Sequence, residues 1–146
     1  MTTMHRFLVR STALMLLALA ITASAQRAET FDDYEVHYNA IPTGSLNPSV
    51  AESYGILRSR TKALVMITVL QDGQPVPASV EIGVRDDRED LRDIPAQRVR
   101  EDDWVSYIGT FDYEPDESLN FELMVNPHGP GGPYAVRFRQ AVPGVD

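Results

Sequence analysis

Glu35, His37 and Asn39 occupy alternate positions of a single segment. If that segment is extended, the three side chains leave one face, neighbours lying roughly 7 Å apart. Such a row can hold a metal ion or a partner's backbone. A zinc site, however, needs three or four converging ligands, and beyond the first 26 residues only His128 offers another imidazole. The ordinary reading is a solvent face or a hydrogen-bonded row. Asp112, Glu114, Asp116 and Glu117 present oxygens of the kind calcium takes, but without the glycine and terminal glutamate spacing of an EF-hand. An acidic turn that deters edge pairing is the simpler account. Arg58 and Arg60 form the one basic protrusion. It suits a carboxylate or phosphate group, or else it pairs with nearby acidic loops and fixes the connection it sits on. Tyr34, Tyr38, Tyr54, Trp104 and Tyr107 would line an aromatic cleft or, more commonly, fill a core. The chain has no nucleophile elbow, no H-E-x-x-H helix and no phosphate loop. With no cysteine, thiolate nucleophiles, cysteine-ligated zinc and iron–sulfur clusters are excluded. These observations argue against an enzyme and call for no cofactor. His37, Asn39, Tyr54, Arg58, Arg60 and His128 are left as a candidate interaction surface.

The chain that must position these residues has 146 residues and a net charge of −8. Its first 25 have the three parts of a cleavable export signal: Arg6 and Arg10, an uncharged apolar stretch over 13–21, and the small-residue triplet Ala23-Ser24-Ala25. The apolar stretch is shorter than the roughly 20 residues a membrane-crossing helix needs. The expectation is a soluble periplasmic protein without membrane insertion after cleavage. Lipid attachment through a cleavage-site thiol is ruled out for want of a cysteine. Removing residues 1–25 takes away two arginines and no acid, so residues 26–146 are more acidic still. Such a surface repels nucleic-acid backbones and anionic headgroups. The remaining length suits one domain, stabilised without disulfides.

Period-two patterning dominates that domain. Tyr34, Val36 and Tyr38 alternate with Glu35, His37 and Asn39, and Leu119, Phe121, Leu123 and Val125 alternate with polar neighbours. Residues 63–70 are apolar at almost every position and rich in β-branched types, which predicts a central strand buried on both faces. Asp72-Gly73 suits a tight hairpin turn, with a return strand carrying Ala78, Val80, Ile82 and Val84 inward. Asn47 as a cap, Pro48 at the first helical position and Gly55 as a stop spell one short helix. A weak strand is expected over 94–101 and a firmer one over 104–111. The three prolines and three glycines of 126–133 form a hairpin loop before a last strand carrying Tyr134, Val136 and Phe138. About seven short strands without helical crossovers predict an all-β fold. It is an antiparallel two-sheet sandwich, immunoglobulin-like in general shape, with a small barrel as the alternative.

Tyr34-Glu-Val-His-Tyr-Asn-Ala40, followed by Leu46, Pro48, Val50, Ala51, Tyr54-Gly55-Ile56 and Arg58-Ser59, resembles the opening of a proteobacterial exported family catalogued as domain of unknown function 4426. The likeness runs more loosely through 63–84, 104–111 and the Phe121 and Phe138 segments, with Met66 where an asparagine is expected. It implies an export signal and a compact β domain, and supplies no reaction. The functional expectation is therefore a non-catalytic binding or accessory module that contacts another envelope protein. Its contact surfaces would be the 127–133 loop, the 47–60 connection or an open sheet edge. A small-ligand or metal-binding protein, with or without hydrolytic activity, is the alternative. Oligomeric state is left open.

Overall fold

The computed structural model describes residues 27–88 and 90–145, so the expected export signal lies outside the described residues. Ten strands form: β1 (Arg27–Phe31), β2 (Tyr34–Pro42), β3 (Lys62–Gln71), β4 (Gln74–Pro75), β5 (Ser79–Arg85), β6 (Leu91–Ile94), β7 (Gln97–Glu101), β8 (Trp104–Asp112), β9 (Ser118–Asn126) and β10 (Tyr134–Ala141). A 3-10 turn (Thr43–Ser45) and helix α1 (Pro48–Ser53) lie between β2 and β3. One sheet runs β1-β2-β3-β8-β7, with β4 added on β3; the other runs β10-β9-β5-β6. Every pairing is antiparallel. The sheets face one another as a sandwich and do not close into a barrel.

The alternation seen in sequence builds the core between them. Val36, Val65, Ile67 and Val69 from the first sheet and Val84, Leu119, Phe121, Val125 and Val136 from the second are fully buried. An aromatic series spans the interface: Phe111 meets Phe121 edge-on at 5.7 Å, Phe121 stacks on Phe138 at 4.5 Å, and Phe138 meets Tyr38 at 4.4 Å. β3 is covered on its outer face as well. Leu64 packs there with Ile108 and Val99 beneath Leu46, Tyr54 and Ile56, the residues flanking α1. This second cluster is why 63–70 needs apolar residues on both faces.

The expected hairpin after β3 is corrected in one respect. Asp72 and Gly73 make the turn, both at positive φ, but the return, β4, is two residues long. Pro75 and Pro77 have no amide with which to continue a ladder. Val76 still donates to the Val69 carbonyl, and the Ala78 amide donates to the Tyr107 hydroxyl at 2.7 Å. By Ser79 the chain has crossed to the other sheet, where β5 pairs with β9 and β6. The 94–101 strand also divides. Pro95 and Ala96 carry the chain from β6 in one sheet to β7 in the other. With β1 and β4, these short edge elements raise the strand count from about seven to ten.

Candidate functional site

The sandwich has edges, and the molecule treats them differently. On one side β1 and β10 are laced together. The Arg27 guanidinium donates to the Arg139 carbonyl at 2.8 Å and lies 5.8 Å from the Phe138 ring centre. Phe31 stacks on Tyr134 at 4.8 Å, and Gln140 Nε2 donates to the Ala40 carbonyl at 2.7 Å, closing the part of β2 that β1 does not reach. On the other side β7 ends its sheet. It is joined to β8 by the two-residue turn Asp102-Asp103, so Glu101 and Trp104 form the closing hydrogen-bonded pair. Alternation then assigns Val99 and Gln97 to the ladder with Ser106 and Ile108. The backbone N–H and C=O groups of Arg98 and Arg100 point away from the sheet.

Beside this edge lies a groove of about 460 Å³, lined by Ser49, Val50, Ser53 and Tyr54 of the helical segment and by residues 97–101 of β7. Local sequence explains why the helix stands there. The Asn47 side chain accepts from the Ser49 amide at 2.9 Å and Pro48 fills the first turn. Gly55, at φ +66, takes the left-handed stop that a residue with a Cβ rarely adopts. Tyr54 then fastens the helix end to both ends of β7. Its hydroxyl donates to Glu101 Oε2 at 2.8 Å, and its carbonyl accepts from Gln97 Nε2 at 3.3 Å. The Glu101 hydrogen bond is the largest cause of a raised Tyr54 pKa. Val50 is 41% exposed on the helix side, while Val99 is buried at the groove's base.

The remaining candidate residues are dispersed. His37 and Asn39 lie on the outer face of the first sheet, opposite Thr68 and Met66 on β3. His37 Nε2 is 3.5 Å from Glu35 Oε2, is buried, and has no hydrogen-bond partner. Asn39 Oδ1 accepts from Gln140 Nε2 at 3.4 Å. Arg58 donates to the Gly44 carbonyl at 2.9 Å, tying down the connection around Thr43, whose buried hydroxyl donates to the Lys62 carbonyl and accepts from the Ser59 amide. Arg60 is exposed. His128 sits in the loop between β9 and β10, where its Nε2 is 3.1 Å from Ser79 Oγ. That serine–histidine contact is exposed, and no carboxylate hydrogen-bonds the imidazole among the described residues, so no triad is assembled. His37 is on β2 of the first sheet, whereas His128 is in the β9–β10 loop beside Ser79 of the second. Among the described residues no three His, Asp or Glu side chains gather as a metal site.

Of the aromatic set, Tyr34, Tyr38 and Tyr107 are core and Tyr54 is half-buried over the second cluster. Trp104 is 50% exposed, contrary to a core role, because it begins β8 on the outer face beyond the reach of α1. Arg98, Val99 and Arg100 carried no sequence signal of function. The cue available was a short, highly charged strand next to the Asp102-Asp103 turn.

The sequence profile described as Domain of unknown function (DUF4426) matches residues 28–142. No curated protein matches the chain. Among solved structures, a DUF4426 family protein from Pseudomonas aeruginosa PAO1 is similar with a TM-score of 0.74 at 24% identity, covering 83% of this chain and 97% of that one. A copper-bound variant of FetP from uropathogenic Escherichia coli strain F11 gives 0.63 at 9% identity, covering 83% and 97%. FetP as isolated after expression in the periplasm gives 0.62 at 8%, covering 83% and 95%. These likenesses establish a shared fold.

Proposed function

Since the chain belongs to the DUF4426 family, a family without an assigned activity, we propose that it is an exported, non-catalytic binding module whose partner is another protein of the bacterial envelope. The observation that carries this reading is the β7 edge, where outward backbone groups of Arg98 and Arg100 border a groove held in place by Tyr54. Strand addition to such an edge takes its affinity from main-chain hydrogen bonds and its specificity from alternate side chains. Of the other sheet edges, β10 is already laced to β1 and β2. Export is supported by the three-part pattern of residues 1–25. The test is a photo-crosslinking residue placed in vivo at Ser49 or Ser53 in the groove, and at Asn120 on the opposite sheet as control. Reproducible adducts from the groove positions alone are expected. Their absence under all growth conditions in which the protein is expressed contradicts the proposal.

A second reading, copper binding, is favoured by one observation. His37 Nε2 is buried without a hydrogen-bond partner beside Glu35, on the face that also carries Met66. Imidazole, thioether and carboxylate are donors that copper accepts, and FetP is described as copper-bound. Titration with Cu(II) and, under reductant, Cu(I) tests it. A single site lost in His37→Gln supports copper binding; binding unchanged by His37→Gln rejects it.

A further inference from the structure

Resting on the reading of β7 as an open edge, we propose that the segment received there is an extended strand of the partner that alternates acidic and apolar residues. A strand added beside β7 continues its pleat, so each incoming side chain shares a face with the β7 residue opposite. Val99 faces the cluster under the helix, and a residue opposite it meets Val50, which is 41% exposed on the groove wall. That position takes an apolar side chain.

The positions opposite Arg98 and Arg100 leave the other face. Both arginines are exposed and, among the described residues, neither side chain is held in an ion pair or hydrogen bond. Most other cations are engaged: Lys62 with Asp112, Arg139 with Asp87, Arg58 with Gly44, Arg27 with Arg139 and Arg92 with the Asp112 carbonyl. Opposite-charge pairs across neighbouring strands are favourable and like-charge pairs unfavourable, so carboxylates belong opposite Arg98 and Arg100. The same rule selects against self-association, since antiparallel pairing of two copies of β7 through these residues sets arginine against arginine. The chain's net charge of −8 opposes an acidic ligand at a distance, which leaves these two short-range pairs to decide selectivity.

The test uses the purified protein and two blocked nine-residue peptides, one alternating glutamate with valine and one alternating lysine with valine. The glutamate peptide is expected to bind about tenfold or more tightly than the lysine peptide and to slow hydrogen exchange of the Arg98 and Arg100 amides. Arg98→Glu with Arg100→Glu should reverse the preference, and the milder Arg98→Gln with Arg100→Gln should abolish it, both at unchanged thermal midpoint. Equal affinity for the two peptides, or protection that misses β7, overturns the inference. If neither peptide binds while groove crosslinks persist, the acidic-segment inference fails and the binding-module reading stands. If the crosslinks are also missing, that reading fails with it.

Discussion

Gly109→Ala probes the joint that places β7. Gly109 lies on the inner face of β8, opposite Val65. A Cβ built there would lie 2.7 Å from Ile94 Cγ2, 2.9 Å from Ile82 Cδ1 and 3.4 Å from the Pro95 carbonyl oxygen. Carbon atoms in favourable contact sit about 3.5–4.0 Å apart, so two methyl groups must retreat by roughly an ångström. Ile82 is buried in a packed core, and Ile94 stands at the crossing from β6 to β7. Overpacking of this kind costs about 1–3 kcal/mol, and the stiffer unfolded chain returns about 0.4–1 kcal/mol. The net loss is about 1–2 kcal/mol, a fall in thermal midpoint of roughly 4–10 °C for a domain of this size. Ile94→Ala removes the nearer methyl, so the double variant should lose about 1 kcal/mol less than the two single losses combined. Urea unfolding of the four proteins measures the cycle, with m-values checked for constancy. Additivity within about 0.3 kcal/mol would refute close packing at this corner. Because Ile94 anchors the approach to β7, Gly109→Ala should also weaken groove crosslinking.

Phe121→Ala removes the centre of the aromatic series and should cost about 3–5 kcal/mol by denaturant unfolding, more than truncation of the half-exposed Trp104. Thr68→Val strands the buried Ser106 hydroxyl, its partner at 2.6 Å, at a cost of about 1–3 kcal/mol; adding Ser106→Ala should recover much of that. The Tyr134 phenol donates to Asp32 Oδ2 at 2.7 Å, and this hydrogen bond to a carboxylate pushes its pKa up to about 12. A pKa raised on folding means a stabilising contribution fully present below the ordinary tyrosine value near 10 and lost as pH climbs through about 12. Ultraviolet difference titration against Tyr134→Phe should place this ionisation near 12, and Asp32→Asn should bring it down.

Much of the fold can be read directly from side-chain periodicity. Tyr34, Val36 and Tyr38 point inward because alternation admits no other arrangement once one face is buried, and the same holds for Leu119 through Val125. Asn47, Pro48 and Gly55 announce the helix through capping chemistry that acts within a few residues. The edges are less legible. β1 contains Arg27, Glu29 and Thr30 and has no apolar stripe, since it is held by its turn and by contacts to Phe138 and Tyr134 that lie more than a hundred positions away in sequence. The switch of sheet after Pro77 and again at Pro95 depends on where Tyr107 and Gly109 leave room, which no local pattern records. The candidate site divides in the same way. Tyr54 was identifiable as an aromatic residue closing a helix, whereas Arg98 and Arg100 gain meaning only from the pairing register that turns their backbone outward.

That register makes the most direct test available. Arg100→Pro removes an amide that points away from the sheet and leaves the ladder to β8 unbroken, while Arg100→Gln removes the charge and keeps the amide. With a photo-crosslinker at Ser53, Arg100→Gln should retain an adduct at reduced yield. Arg100→Pro should abolish it, although the protein remains folded with a thermal midpoint within a few degrees of wild type. A folded Arg100→Pro protein that crosslinks as well as Arg100→Gln would contradict strand addition at β7.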